Sequence, residues 1–364
     1  MPNPNALVGL VGRIDPPVEK LSVTEYLRKY PGGVAVVLEG EQTARLLPGD
    51  RTAGMLEILE QLRQLRAPVY LEVRPESKEI TRLLIPLVTR VSNVSESGAD
   101  FEVDLQASHA RHQVKRKNPD FAQLLETLRA AREKNATLIV TEADDHEIID
   151  ARPSEVESNL RPGAIPTPGK EGPGWFRRLC RRWFGCLCCV TPKRAQELFD
   201  LCSATTCNPL TVPAPCIPFL YPDDGCWARA HEMCRLMIAA GAKPRKVWID
   251  GKLRVNTKNN PNCFVKWGWH VAPIICVRRR RFGQSENMVI DPSLFTTPVT
   301  EATWKGVQGD PNATLTETAA SVYWRNAIPT DPNYVDTNFR LAFYRLQLKN
   351  RSLQFGPPPY AFCP

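Results

Sequence analysis

All 12 cysteines of this chain lie at or after Cys180, and the first 179 of its 364 residues contain none. This asymmetry supports two units of different origin, in keeping with a length of about two domains of roughly 150 residues each. Between them, Arg152 to Gly174 holds prolines at 153, 162, 166, 168 and 173 and almost no apolar side chains, the composition of a semi-extended tether. The expected organisation is an N-terminal domain over 1–151, a linker over 152–174, a basic, aromatic, cysteine-rich segment over 175–190, and a second domain over 191–364.

The N-terminal domain has mixed periodicity. Residues 1 to 20 look irregular and proline-rich, and a short helix is expected from Ser22 to Tyr30. Met55, Ile58, Leu59, Leu62 and Leu65 form one helical stripe after Asp50 and Thr52, with Pro68 as the stop. Phe121, Leu124, Leu125, Leu128 and Ala131 form another after Asn118-Pro119. Strands are expected at 34–38, 69–73, 80–94 (interrupted near Pro86), 101–107, 137–141 and 147–150. The expectation is a small α+β domain resembling a partly closed barrel with two helices. Its histidines, His109, His112 and His146, sit among charged residues without metal-ligand spacing and are expected on a solvated surface. The basic run Arg111–Lys117 is likewise expected to be solvated.

The segment from Trp175 to Val190 alternates aromatic and basic residues. Docking on the following domain is the favoured expectation, and peripheral membrane contact is the competing one. Cys180, Cys186, Cys188 and Cys189 do not form separated CxxC pairs, so no metal site is expected there. Cysteines 202, 207, 216, 263, 276 and 363 are available for disulfides. No run of 18 apolar residues exists, and the N-terminus lacks the pattern of a secretory signal; the expected location is the cytoplasm, or outside the cell by a signal-independent route. A formal charge of +8 suits an acidic protein surface or a membrane, and no nucleic-acid partner is expected.

The second domain carries the chemistry. Tyr221-Pro-Asp-Asp-Gly-Cys-Trp-Ala-Arg-Ala-His-Glu-Met-Cys-Arg-Leu-Met237 reads as a turn feeding a helix that begins at about Cys226. A cysteine on the first turn meets unpaired backbone N–H groups and the positive end of the helix dipole, which favour a thiolate. Lys246–Asp250 reads as a strand turned by Gly251, and Phe264–Val277 as a long strand carrying His270. Met288–Phe295 reads as a further strand with Asp291. The separations, 270 − 226 = 44 and 291 − 270 = 21, let neighbouring strands present an imidazole and a carboxylate to a thiol at a helix tip. His231 is not the base, because five residues along a helix turn it about 140° away from Cys226. The residues alone leave several thiol acyl-transfer reactions open.

Ile217-Pro-Phe-Leu-Tyr-Pro-Asp-Asp-Gly-Cys-Trp-Ala-Arg-Ala-His-Glu-Met233, Trp269-His-Val-Ala272 and Ile290-Asp-Pro-Ser-Leu-Phe295 resemble the bacterial protein-glutaminase family. So do Pro298–Trp304 and Val322–Arg325, and the likeness covers about residues 192–350. It implies a transglutaminase- or papain-like cysteine-hydrolase core, and it places the family's cysteine, histidine and aspartate on Cys226, His270 and Asp291. The implied reaction is deamidation of protein-bound glutamine through a thioester, on a protein or peptide substrate, with no cofactor and no metal. Trp227, Trp267, Trp269, Tyr323 and Asp224 are candidate substrate-binding residues. An effector or toxin role is a further expectation. The alternatives are a transglutaminase or cysteine protease on the same three residues, or a catalytically silent binding module. Secreted members of the family carry an inhibitory prosegment, and no stretch of 1–151 matches one.

Overall fold

Ala6–Asp15, within the stretch expected to be irregular, is strand β1 and the middle of a sheet. Gly9, Gly12 and the surrounding prolines hide its alternation in the sequence. The computed structural model describes residues 3–17, 25, 28–143, 145–154, 189–211, 215–279, 284–324 and 330–364. Residues 155–174 of the expected linker, the segment 175–188 and most of the 22–30 helix lie outside these residues. The chain divides into two units. One is Met1–Asn159 with Pro209–Thr211 and Leu346–Pro358; the other is Leu160–Asn208 with Val212–Arg345 and Pro359–Pro364.

In the first unit, β1 pairs with β4 (Pro68–Val73) along its first half and with β2 (Val34–Leu38) along its second, changing partner at a bulge near Val11. β3 (Thr43–Leu46) and β5 (Ile80–Leu84) complete the antiparallel order β3-β2-β1-β4-β5. Helix α1 (Thr52–Leu65) joins β3 to β4 and buries Leu56, Ile58, Leu59 and Leu62. Arg66, at φ 53°, ends it by donating its N–H to Leu62 and Arg63 carbonyls, so Pro68 opens β4 rather than stopping the helix.

The chain then repeats this plan. β6 (Leu87–Ser97), β7 (Asp100–Leu105), β8 (His112–Val114), helix α2 (Phe121–Glu133), β9 (Thr137–Glu142) and β10 (Ile148–Pro153) follow in the same sequence of types. Their sheet order, β8-β7-β6-β9-β10, is the first order shifted by five. β6 also changes partner half-way, from β9 to β7, at a bulge near Val91. In each half the edges meet at one parallel bridge, Arg45 with Glu79 and Gln113 with Glu147. The strands expected to form one small barrel are therefore shared between two five-stranded sheets of one topology. Register, which the sequence alone does not display, is what reveals the duplication.

His109, His112 and His146 are all buried, which overturns the expected solvated surface. The basic run is also not free. Arg111 makes a two-pronged bond to Glu102 at 2.8 and 2.6 Å, and Lys115 pairs with Asp145 and Glu147.

The second unit is built on the sheet β14-β13-β12-β11-β15. Its strands are β11 (Arg245–Asn256), β12 (Phe264–Arg278), β13 (Ser285–Val289), β14 (Val299–Thr300) and β15 (Thr314–Ala319). Val247, Ile249, Leu253, Trp267, Ala272, Ile274 and Trp304 form its core. Helices α3 (Pro192–Ser203), α4 (Cys226–Ala239) and α5 (Glu301–Gly306) belong to this unit, and α6 (Val335–Phe355) runs through it to Arg345 before entering the first. Gly251 does not turn the chain. It lies in β11 at a bulge, where a Cβ would come 2.5 Å from the Asp310 carboxylate. β13 ends at Val289, so Asp291 heads a turn that receives the Leu294 and Phe295 amides.

Disulfides join Cys189 to Cys276, Cys207 to Cys216 and Cys263 to Cys363. Cys202, expected to be available for pairing, is instead a buried free thiol on the inner face of α3. Cys276 pairs with Cys189 because Val190 bridges to Val277 and holds the two cysteines side by side.

Candidate active site

The turn before α4 is fastened from several directions. Gly225 takes φ 79°, a conformation open to glycine, and its N–H donates to the Asp224 carboxylate at 2.8 Å. The Trp267 indole donates to the Asp223 carbonyl at 3.0 Å, and the Asn260 amide to the Asp223 carboxylate at 2.5 Å. Arg229, one turn along α4, donates to the carbonyls of Tyr221 and Asp224. With the turn held in this way, Cys226 becomes the first helical residue, as its spacing predicts.

The structure brings Cys226, His270 and Asp291 together. A ring nitrogen of His270 lies within 4.8 Å of the Cys226 sulfur. His270 Nε2 stands 2.8 Å from Asp291 Oδ2. Asp291 is fixed in turn: Trp304 Nε1 donates to Oδ2 at 2.9 Å and the Ser293 amide to Oδ1 at 3.2 Å. The imidazole is sandwiched between Trp267, with centroids 4.5 Å apart, and Trp304, at 5.4 Å. A ring clamped on both faces and at one edge has a single orientation.

Opposing influences act on the thiol. Cys226 is 1% exposed, and burial pushes its thiol up; Arg229 and the Val271 amide pull the other way without prevailing. Burial also opposes the charge on Asp291, yet His270, the Trp304 bond and Arg229 together hold that carboxyl below its usual range. An ionised carboxylate beside the imidazole favours Nε2–H and supports an imidazolium.

The five candidate substrate-binding residues fall in different places. Trp267 and Tyr323 are wholly buried with their polar atoms bonded within the protein, Tyr323 to Asp336 at 2.6 Å. Asp224 is buried in the turn. Trp227 is buried against Trp324 at 4.3 Å, whereas Trp269 keeps partial exposure. His231 is a buried structural residue, bonded to the Asp331 carbonyl at 3.2 Å and to Lys246 at 3.0 Å. In the run of four arginines from Arg278 to Arg281, Arg278 donates to the Cys189 carbonyl and Arg279 pairs with Glu286; residues 280–283 lie outside the described part. Arg229, Asn260 and Trp304 were missed in the sequence. Arg229 carried a signal, since three residues after Cys226 it shares a helix face with it; Trp304 closes a segment that resembles the family, while its bond to Asp291 and the place of Asn260 are set by tertiary structure.

A protein-family model described as glutaminase matches residues 195–308. A crystal structure of protein-glutaminase is 34% identical, covering 42% of this chain and 86% of that one, with a TM-score of 0.37. The chain belongs to the protein-glutaminase family. The protein-glutaminase from Chryseobacterium proteolyticum, solved by NMR, is 32% identical over 41% of this chain and 84% of that one, with a TM-score of 0.37. A crystal structure of pro- protein-glutaminase shares the fold at a TM-score of 0.52 and 24% identity, covering 77% of this chain and 99% of that one. That share exceeds what residues 192–350 can hold, so the likeness extends beyond the region in which the sequence resembled a protein-glutaminase. Curated proteins give no match.

Proposed function

We infer that this protein is a protein-glutamine deamidase. The observation that carries the reading is the meeting of Cys226, His270 and Asp291 in a chain of the protein-glutaminase family. His270 Nδ1 takes the Cys226 proton as the sulfur attacks the side-chain amide carbon of glutamine. The first-turn backbone N–H groups of α4 stabilise the oxyanion. The C–N bond breaks, the His270 proton leaves with the nitrogen as ammonia, and a thioester remains on Cys226. Water, deprotonated by His270, then cleaves the thioester to glutamate and restores the thiol. Asp291, held by Trp304 and Ser293, keeps the ring in the required tautomer throughout.

Incubation with candidate proteins followed by mass spectrometry tests this. A gain of about one mass unit at glutamine, with ammonia release, is expected from the native chain and not from a folded Cys226→Ser variant. Amine incorporation or backbone cleavage in place of ammonia release would instead mark a transglutaminase or a protease. Unchanged ammonia release by the variant would end the assignment of the nucleophile.

The three disulfides support passage through an oxidising compartment. Export, as an effector or toxin, is accordingly part of the proposal. Peptide mapping of protein recovered from producing cells and from their medium checks it; fully reduced Cys207 and Cys216 in both fractions would argue against it.

A further inference from the structure

The duplicated first unit contains its own control. Register equates three positions of the second half with three of the first. His112, opposite Val103, takes the place of Ala44, opposite Val36. Glu142, opposite Ile148, takes the place of Val73, opposite Ile80. His146, whose carbonyl receives the Gln113 amide at φ 59°, takes the place of Lys78, whose carbonyl receives the Arg45 amide at φ 56°. The first half closes its sheet edge with Ala44 and Val73 buried and Lys78 exposed. The backbone closure therefore does not require a polar cluster, and the second half has one all the same.

The cluster has the donor set of a metal site. His112 is 0% exposed and His146 5%. Their Nδ1 atoms lie 2.7 and 3.0 Å from the same oxygen, Glu142 Oε2. His146 Nδ1 is hydrogen-bonded to that oxygen, and His112 Nδ1 makes an ion-pair contact with it. One ligand atom from each of His112, Glu142 and His146 lies within 4.8 Å of the other two. His112 Nε2 lies 2.9 Å from Ser108 Oγ, and when it donates there Nδ1 keeps the lone pair a cation needs. Glu142 and His146 sit at either end of a short turn, and His112 comes from a strand bonded to that turn. The backbone thus holds all three.

We propose that His112, Glu142 and His146 bind a divalent first-row metal ion of the zinc type, with solvent at the fourth position. Two imidazole nitrogens and one carboxylate oxygen suit zinc. Tetrahedral coordination at about 2.0–2.2 Å sets donor atoms about 3.3 Å apart, against 2.7 and 3.0 Å from the two nitrogens to the carboxylate oxygen here. It would staple β8 to the turn between β9 and β10, doing with a bond what Ala44 and Val73 do in the first half by packing. Local spacing does not display the cluster, because His112 on β8 lies 30 residues before Glu142 at the end of β9, and His146 follows across a turn.

The test uses the full chain, stripped with chelator and dialysed against zinc chloride, with metal content measured by elemental analysis. The native chain is expected to retain one more zinc than Glu142→Gln, a near-isosteric change, or His112→Asn. Cobalt(II) in place of zinc is expected to show visible ligand-field bands lost in Glu142→Gln, without the near-ultraviolet thiolate band a cysteine site produces. Ser108→Ala keeps all three ligands, so it tests the site even where the other variants fail to fold; it is expected to weaken zinc 10- to 100-fold. Equal zinc content in the native chain and all variants, no retained zinc, or a cobalt spectrum showing only thiolate ligation would overturn the proposal.

Discussion

Asn260 shows how far a buried amide can reach. It touches neither the sulfur nor the imidazole, yet its donation to Asp223 and the Cys263 amide bonded to its carbonyl tie a loop to the turn that presents Cys226. It is a positioning residue. Asn260→Ala removes one donor from a fully buried carboxylate, a change that costs about 1–3 kcal/mol. On the deamidase reading, the expected result is a roughly tenfold lower kcat with KM little changed, alongside a lower melting temperature. A variant that loses stability but keeps kcat would reduce Asn260 to a structural role. The same reasoning explains why the sequence displayed Cys226, His270 and Asp291 but not Asn260 or Trp304. The first three stand in local patterns that chemistry recognises, whereas an asparagine in a loop and a tryptophan in a short helix acquire meaning through a partner.

At the scale of elements, the junction between turn and helix is the most constrained point of the second unit. Gly225 combines φ 79° with a near approach to Tyr344, whose ring would lie 2.3 Å from an added Cβ. Gly225→Ala must both adopt a disfavoured backbone and displace a buried aromatic ring, so a loss of about 2–4 kcal/mol is expected. Chemical denaturation reads it, and a cost under about 0.5 kcal/mol would mean the turn relaxes freely. Strands differ in how plainly the sequence shows them for a similar reason. β2, β4, β9 and β12 announce themselves through apolar runs, while β1, β3 and β8 are interrupted by glycine or charge and exist because a neighbour pairs with them. Helix α6, 21 residues long, is not among the expected elements. Its buried face includes Arg340, Lys349, Asn350 and Arg351, residue types that a hydrophobic period does not register.

For the whole molecule, stability depends on cross-links and on pH. Cys263–Cys363 closes 100 residues of chain, and its removal by Cys363→Ser is expected to cost about 2–4 kcal/mol. Thermal unfolding with and without reductant should then differ less in the variant than in the native protein. His231 acts through protons. Burial, then the neighbouring Lys246 charge, lowers it to about 4, against an unfolded value near 6.5. Between those values the unfolded chain binds the proton that the folded chain refuses. Its contribution is therefore complete above pH 6.5 and is lost as pH falls towards 4, amounting to about 2–3 kcal/mol. Unfolding midpoints of native protein and His231→Gln across that range check this: the native curve should be steeper by about one proton, and parallel curves would count against it. What the sequence determined was local: a helix beginning at a cysteine, a histidine on a long strand, an acid after the next, since period and turn chemistry act over a few residues. What only the tertiary structure decided was long-range, namely the doubled topology of the first unit, the cysteine pairing, the clamp on His270 and the buried His112–Glu142–His146 cluster. Each of these depends on strand register and on which groups lose their water together, and neither is set by nearest neighbours along the chain.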